Sequence, residues 1–165
     1  MKIDIYKIPN TKKLVVEEIV ELDKEKFAPS FPILEIGKVF AKAKVNRYDD
    51  FINVHLSVKA EVILQCSYTL KPFKSKVSGE EEFNFTTFES EEDDDFIIYK
   101  GNRIDLDEYI YELIISSVPT SPKAPGATLP KSGEGYRVIS EDDLLLEESS
   151  KGNDKFDKLA DLDLD

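Results

Sequence analysis

The most regular stretch of the chain runs from Lys38 to Leu64. In its first part Val39, Ala41, Ala43 and Val45 alternate with Lys38, Lys42 and Lys44. In its second, Ile52, Val54, Leu56, Val58, Ala60, Val62 and Leu64 take every second position, with Asn53, His55, Ser57, Lys59 and Glu61 on the other parity. A period of two sends successive side chains to opposite faces, so both parts predict half-buried antiparallel strands. Arg47-Tyr48-Asp49-Asp50 is the hairpin turn between them. At roughly 3.3 Å per residue the second strand would span about 43 Å, beyond the usual length, which predicts a bulge or the coiling of a curved sheet or partial barrel. The parity carries on through Cys66, Tyr68 and Leu70 if the chain stays extended. Pro72 interrupts it, and Phe73, Ser75 and Val77 open another strand with Lys74 and Lys76 outward. Ser78-Gly79 reads as a turn or bulge before Phe83 and Phe85.

These strands, from Lys38 to Phe85, make a consecutive antiparallel meander, and further elements flank it. Residues 2–8 predict a short strand ending at Pro9, residues 14–22 a strand in preference to a helix, and Phe27 to Pro32 a loop. Glu89 to Asp95 is an acidic loop, and Phe96-Ile97-Ile98-Tyr99 a short strand. Leu106, Tyr109, Ile110, Leu113 and Ile114 then switch to i, i+3, i+4, i+7, i+8, one apolar stripe of a helix that must bury on the sheet. Asp105 is placed as its N-cap with Glu108 three residues on, and Ile104 and Tyr109 as a hydrophobic staple, with Pro119 beyond its end. The fold class is therefore α+β: a curved antiparallel meander with one packed amphipathic helix over 105–118. The division is a β-rich domain over 1–119, then a Pro-containing linker and an acidic, partly disordered tail over 120–165. Two apolar clusters in the tail, Leu144-Leu145-Leu146 and Phe156, Leu159, Leu162 and Leu164, suit a helix that docks on a surface, or a disordered end.

Charge sharpens that division. The net charge of −12 is carried unevenly: residues 1–88 hold 14 Lys+Arg against 13 Asp+Glu, and residues 89–165 hold 8 against 21. A negative field repels nucleic acid at long range, so RNA contact requires a local cationic face, while the acidic half suits basic proteins or simply keeps a tail solvated. No apolar run reaches membrane-helix length, and one cysteine excludes an internal disulfide, which suits a reducing cytoplasm.

Chemistry is sparse. His55 is the only histidine, falls on the outward parity and has no orienting neighbour in sequence. Cys66 is in phase with the buried set and packs as a small apolar group. There is no phosphate-binding Gly-rich loop, no zinc motif and no calcium-loop spacing, so neither catalytic residues nor metal, cofactor or small-molecule substrate is expected. One outward pattern remains. Lys38, Lys42, Lys44, Lys59, Lys74 and Lys76 share the non-core parity of neighbouring strands and form a candidate RNA-contact face, or an ordinary solvated one.

Two stretches together resemble the YceD family. Cys66-Ser-Tyr-Thr-Leu-Lys-Pro-Phe73, with Leu70 and Pro72 inside it, is similar to that family's Cys-x-x-Cys-x-x-Pro-Phe-like segment. Ile104-Asp105-Leu106 and the helix that follows, then Pro119 and Pro122, resemble its Ile-Asp-Leu helix and proline-ended tail. Asn153 to Ala160 resembles its terminus more weakly, so the likeness in order and spacing covers residues 36–165. Many relatives carry a second cysteine where this chain has Thr69, so a thiolate metal site is not implied here. The resemblance implies a non-catalytic ribosome-biogenesis role supporting synthesis, processing or stability of 23S rRNA. It would act by binding a ribosomal protein or assembly factor, with rRNA on the lysine face. A protein-interaction module unrelated to ribosomes is the alternative, and an RNA-acting enzyme the third class.

Overall fold

A computed structural model describes residues 1–8, 13–88 and 96–150. The chain forms two compact units, Met1–Ala124 and Pro125–Asp165. The first is α+β. Strands β1 (Lys2–Asp4), β2 (Leu14–Val20), β3 (Ile33–Tyr48), β4 (Phe51–Gln65), β5 (Pro72–Thr86), β6 (Ile97–Ile98) and β7 (Arg103–Asp105) precede helix α1 (Asp107–Ser116). The main sheet has the order β2-β3-β4-β5-β6, antiparallel except for the short parallel pairing of β6 with β5, and β1 pairs with β7 in a second small sheet. β2 and β6 do not pair, so among the described residues the meander stays open and no barrel closes.

The alternation does what its period requires. Val39, Ala41, Ala43 and Val45 on β3, and Ile52 through Leu64 on β4, are all buried. α1 covers this face with Ile110, Leu113 and Ile114, joined by Leu106, Ile104 and the β1 residues beside it. Each large side chain removed from water here contributes roughly 1.5–3 kcal/mol. The stripe is fixed laterally on both flanks. Tyr109 packs its ring against Phe83 and Phe85 of β5, with centroids 4.8 and 5.5 Å away. On the other side Tyr111 donates to the Ala28 carbonyl at 2.7 Å and packs on Phe27 of the β2–β3 loop.

Five expectations are corrected. The strand expected over 2–8 stops at Asp4, because Asp4 accepts a hydrogen bond from the Tyr6 amide and starts a 3-10 turn over Ile5–Lys7. The bulge expected on the long strand lies on its neighbour: β4 is regular, and the register shifts fall on β3 between Ile33 and Val39. The parity does not carry through Leu70, because the chain turns directly after Cys66. Leu70 takes a positive φ of 56°, its amide bonds back to the Cys66 carbonyl at 2.8 Å, and its side chain is exposed. Ser78-Gly79 is neither turn nor bulge, since β5 pairs with β4 residue for residue from Pro72 to Thr86. Gly79 is required instead by close approach, for a Cβ there would sit 2.5 Å from Ser117 Oγ at the C-cap of α1. Finally, α1 starts at Asp107, not Asp105. Leu106 occupies the N-cap with no side-chain cap, and Asp105 ends β7 while accepting from the Asp107 amide at 3.1 Å. β-pairing with β1 holds residues 103–105 extended and so moves the N-cap on by one residue, from Asp105 to Leu106.

The second unit, among its described residues, holds helix α2 (Glu141–Ser150). Ser140 caps it, its Oγ accepting from the Asp143 amide at 3.0 Å and donating to Asp143 Oδ2 at 2.6 Å. Leu144, Leu145 and Leu146 are exposed on it. The acidic loop at Glu89–Asp95 and the cluster Phe156, Leu159, Leu162 and Leu164 lie outside the described residues.

Candidate nucleic-acid interface

The face of the main sheet opposite α1 carries the outward parity of β2 to β5, and register sets which side chains meet. One row across the strands is Glu17–Lys42–Ser57–Glu80, and the next is Val15–Lys44–His55–Glu82. A third is Ile19–Phe40–Lys59–Ser78, and Glu61 faces Lys76 and Ile63 faces Lys74 further along β4 and β5. Lys38 lies in the shifted region of β3 and is exposed. Lys42, Lys44, Lys59, Lys74 and Lys76 therefore share one face, but carboxylates from β2, β4 and β5 stand between them.

Those carboxylates take up part of the cationic charge. Lys42 Nζ lies 2.6 Å from Glu17 Oε1, and its hydrogen bond and charge together hold the Glu17 carboxyl below the usual carboxylate range. Lys76 reaches Glu61 at 4.0 Å, and His55 Nε2 stands 3.6 Å from Glu80 Oε2. Solvent screens such exposed pairs, so they set local charge more than stability. Among the described residues Lys38, Lys44, Lys59 and Lys74 make no ion pair. Phe40, which parity alone leaves as an odd aromatic on a polar face, is 47% exposed beside Ile19 at 60% and Val15 at 51%. A shallow depression of about 510 Å³ is lined by Ile19, Phe40, Lys42, Lys44 and Lys59, with Glu17 and Glu80 at its sides. The apolar β2 contribution was hidden in the sequence because residues 14–22 show no clean period. Chemically the face offers separate ammonium groups around an aromatic ring, suited to phosphates and an unstacked base.

The family-motif residues play structural parts. Cys66 is fully buried at the end of β4, and Pro72 and Phe73 begin β5. Ser67 donates through both its amide and its hydroxyl to the Pro122 carbonyl, at 2.8 and 3.0 Å, and the Ala124 amide points at Cys66 Sγ from 3.4 Å. The cysteine turn and the proline segment after α1 are thus joined. The Ala124 amide, then the Thr69 hydroxyl, pull the Cys66 thiol down to about 7, against the opposing effect of lost hydration. Ile104 and Leu106 are buried in the core, and Asp105 shapes the entry to α1. No group of three or more His, Cys, Asp or Glu side chains among the described residues could hold a metal ion.

No helix among the described residues is long and apolar enough to cross a membrane. Neither curated proteins nor solved structures include a significant match to this chain. A family model does match, over residues 54–163, and its description is large ribosomal RNA subunit accumulation protein YceD. The match takes in β4, β5, the cysteine turn, α1 and the acidic unit, well over half of the chain, and the chain therefore belongs to the YceD family.

Proposed function

We propose that this protein supports accumulation of the 23S rRNA as a cytoplasmic, non-catalytic ribosome-biogenesis factor that acts by binding. Family membership supports the ribosomal setting. The observation that carries the binding mode is the uncovered sheet face on which Phe40 stands among Lys42, Lys44 and Lys59. RNA lies on that face, with phosphates at Lys44 and Lys59 and a base against the Phe40 ring. The carboxylates of Glu17 and Glu80 keep the contact weak and strongly salt-dependent. The acidic second unit takes a basic ribosomal protein or assembly factor, and exposed Leu144 to Leu146 on α2 favour protein as that partner.

Depletion of the protein is expected to lower the ratio of large- to small-subunit rRNA, and an unchanged ratio overturns the ribosomal reading. For the face, the Lys44→Glu/Lys59→Glu variant should bind a single-stranded 23S precursor fragment more weakly. Each lost phosphate contact should flatten the salt slope by about 0.7. Phe40→Ala should weaken binding without changing that slope. Equal binding by wild type and both variants removes RNA from this face.

A further inference from the structure

β5 presents a long free edge. Among the described residues β6 pairs only with Phe85 and Thr86, so the strand from Phe73 to Asn84 has β4 on one side and no strand on the other. Natural sheets blunt such edges with bulges, prolines or charged side chains. β5 has no bulge and no internal proline, since its register with β4 is unbroken over its whole length and its proline is its first residue; what it carries is charge of both signs, Lys74 and Lys76 with Glu80 and Glu82. Regular, unpaired backbone of this kind is a template for strand addition.

The side chains along this edge specify what adds. Lys74 and Lys76 precede Ser78, and Glu80 and Glu82 follow it, all on the open face of the sheet. In an antiparallel pair whose two-fold axis passes at Ser78, positions equally spaced before and after Ser78 stand opposite each other on the same face. Lys76 then meets Glu80 of the second copy, and Lys74 meets Glu82, twice over by symmetry. On the other face Phe73 meets Phe83, two half-buried aromatic rings, and Val77 meets Gly79, beside Ser117 and Leu113 of the helix packing. Sliding the register by two residues in either direction loses one of the charge pairs, and sliding it by one puts the sets on opposite faces. The sequence of β5 is thus complementary to itself in one register. We propose that β5 joins β5 of a second copy, making an isologous two-fold dimer with one sheet running through both chains. This inference is independent of the rRNA reading.

Sedimentation of the full chain over a concentration series tests it, with Lys76→Glu, Glu80→Lys and the double variant alongside. The Lys76 and Glu80 side chains are 84% and 67% exposed, so each variant should fold, as thermal melting will show. Each single change sets like charges opposite each other at two places and should weaken the dimer roughly 10-fold or more. The double variant swaps the charges and should restore it. An equimolar mixture of the two single variants should form a heterodimer, because each supplies the sign that the other lacks. Wild type that remains monomeric throughout overturns the proposal, as do single variants that dimerise like wild type.

Discussion

Gly79 offers the sharpest test of how α1 is seated on the sheet. An alanine Cβ at this position would lie 2.5 Å from Ser117 Oγ, 3.1 Å from Leu113 Cδ2 and 3.3 Å from the Leu113 carbonyl oxygen. The hydroxyl can rotate away only by giving up its 2.6 Å bond to that same carbonyl, and the backbone oxygen cannot move without shifting the helix. Overpacking of this kind costs about 1–3 kcal/mol. Against it stands the gain from restricting the unfolded chain, about 0.4–1 kcal/mol, which Ala realises because Gly79 needs no positive φ. Gly79→Ala should therefore lose about 1–2 kcal/mol. For a unit the size of Met1–Ala124 that lowers the melting temperature by roughly 3–10 °C. Ser117→Ala should recover part of the loss in the double variant, giving a favourable coupling of about 0.5 kcal/mol or more. Urea unfolding of the four proteins measures the cycle. A Gly79→Ala protein as stable as wild type, or strict additivity with Ser117→Ala, would refute contact between α1 and β5 as the reason for this glycine.

Other outcomes follow from the same packing. Leu106→Ala empties a fully buried site at the joint of β7 and α1 and should cost about 2–5 kcal/mol in urea unfolding, while Leu70→Ala, on an exposed side chain, should cost far less. Cys66 should make stability depend on pH. Its folded pKa, about 7, lies below its ordinary value of 9.0, so its contribution is fully present above pH 9 and is lost as pH falls through 7. Melting curves across that window should rise with pH more steeply for wild type than for Cys66→Ala, and parallel profiles would contradict the aimed amides. Lys42→Ala and Glu17→Gln should each leave the urea-unfolding midpoint close to that of wild type, since their ion pair is exposed and screened.

The fold was legible where one face of an element is buried. Parity named every buried residue of β4, and the helical stripe named Ile110, Leu113 and Ile114, because burial on one side imposes a period. Errors cluster where tertiary contact overrides local preference. Asp105 with Glu108 has the residues of a capping box, yet strand pairing with Lys2 holds Asp105 extended. Gly79 reads locally as a breaker, while the residues that require it, Leu113 and Ser117, lie more than thirty residues further on. The turn after Cys66 depends on Leu70 accepting a conformation that its type rarely takes, which no pattern announces.

The site was legible only in part, and the missing part alters its reading. Parity put the six lysines on one face, but neighbours across strands depend on register, and neither loop between the strands signals it alone. Register is what brings Glu17 to Lys42 and Glu61 to Lys76. Cross-strand pairs of opposite charge support a sheet by themselves, so Lys42 and Lys76 have structural roles that require no RNA. Directly across the strands, Lys44 meets Val15 and His55, and Lys59 meets Phe40 and Ser78. Neither faces a carboxylate in its own pairs, so the proposed phosphate contact rests on these two. β5 divides differently, since its lysines precede and its glutamates follow one central serine, the arrangement that a two-fold contact needs. If both proposals hold, the one cationic surface divides in two: β3 and β4 around Phe40 would take the anionic ligand, and the β5 edge a second copy. Changing Lys59 should then affect RNA binding alone, and changing Lys76 should affect association first.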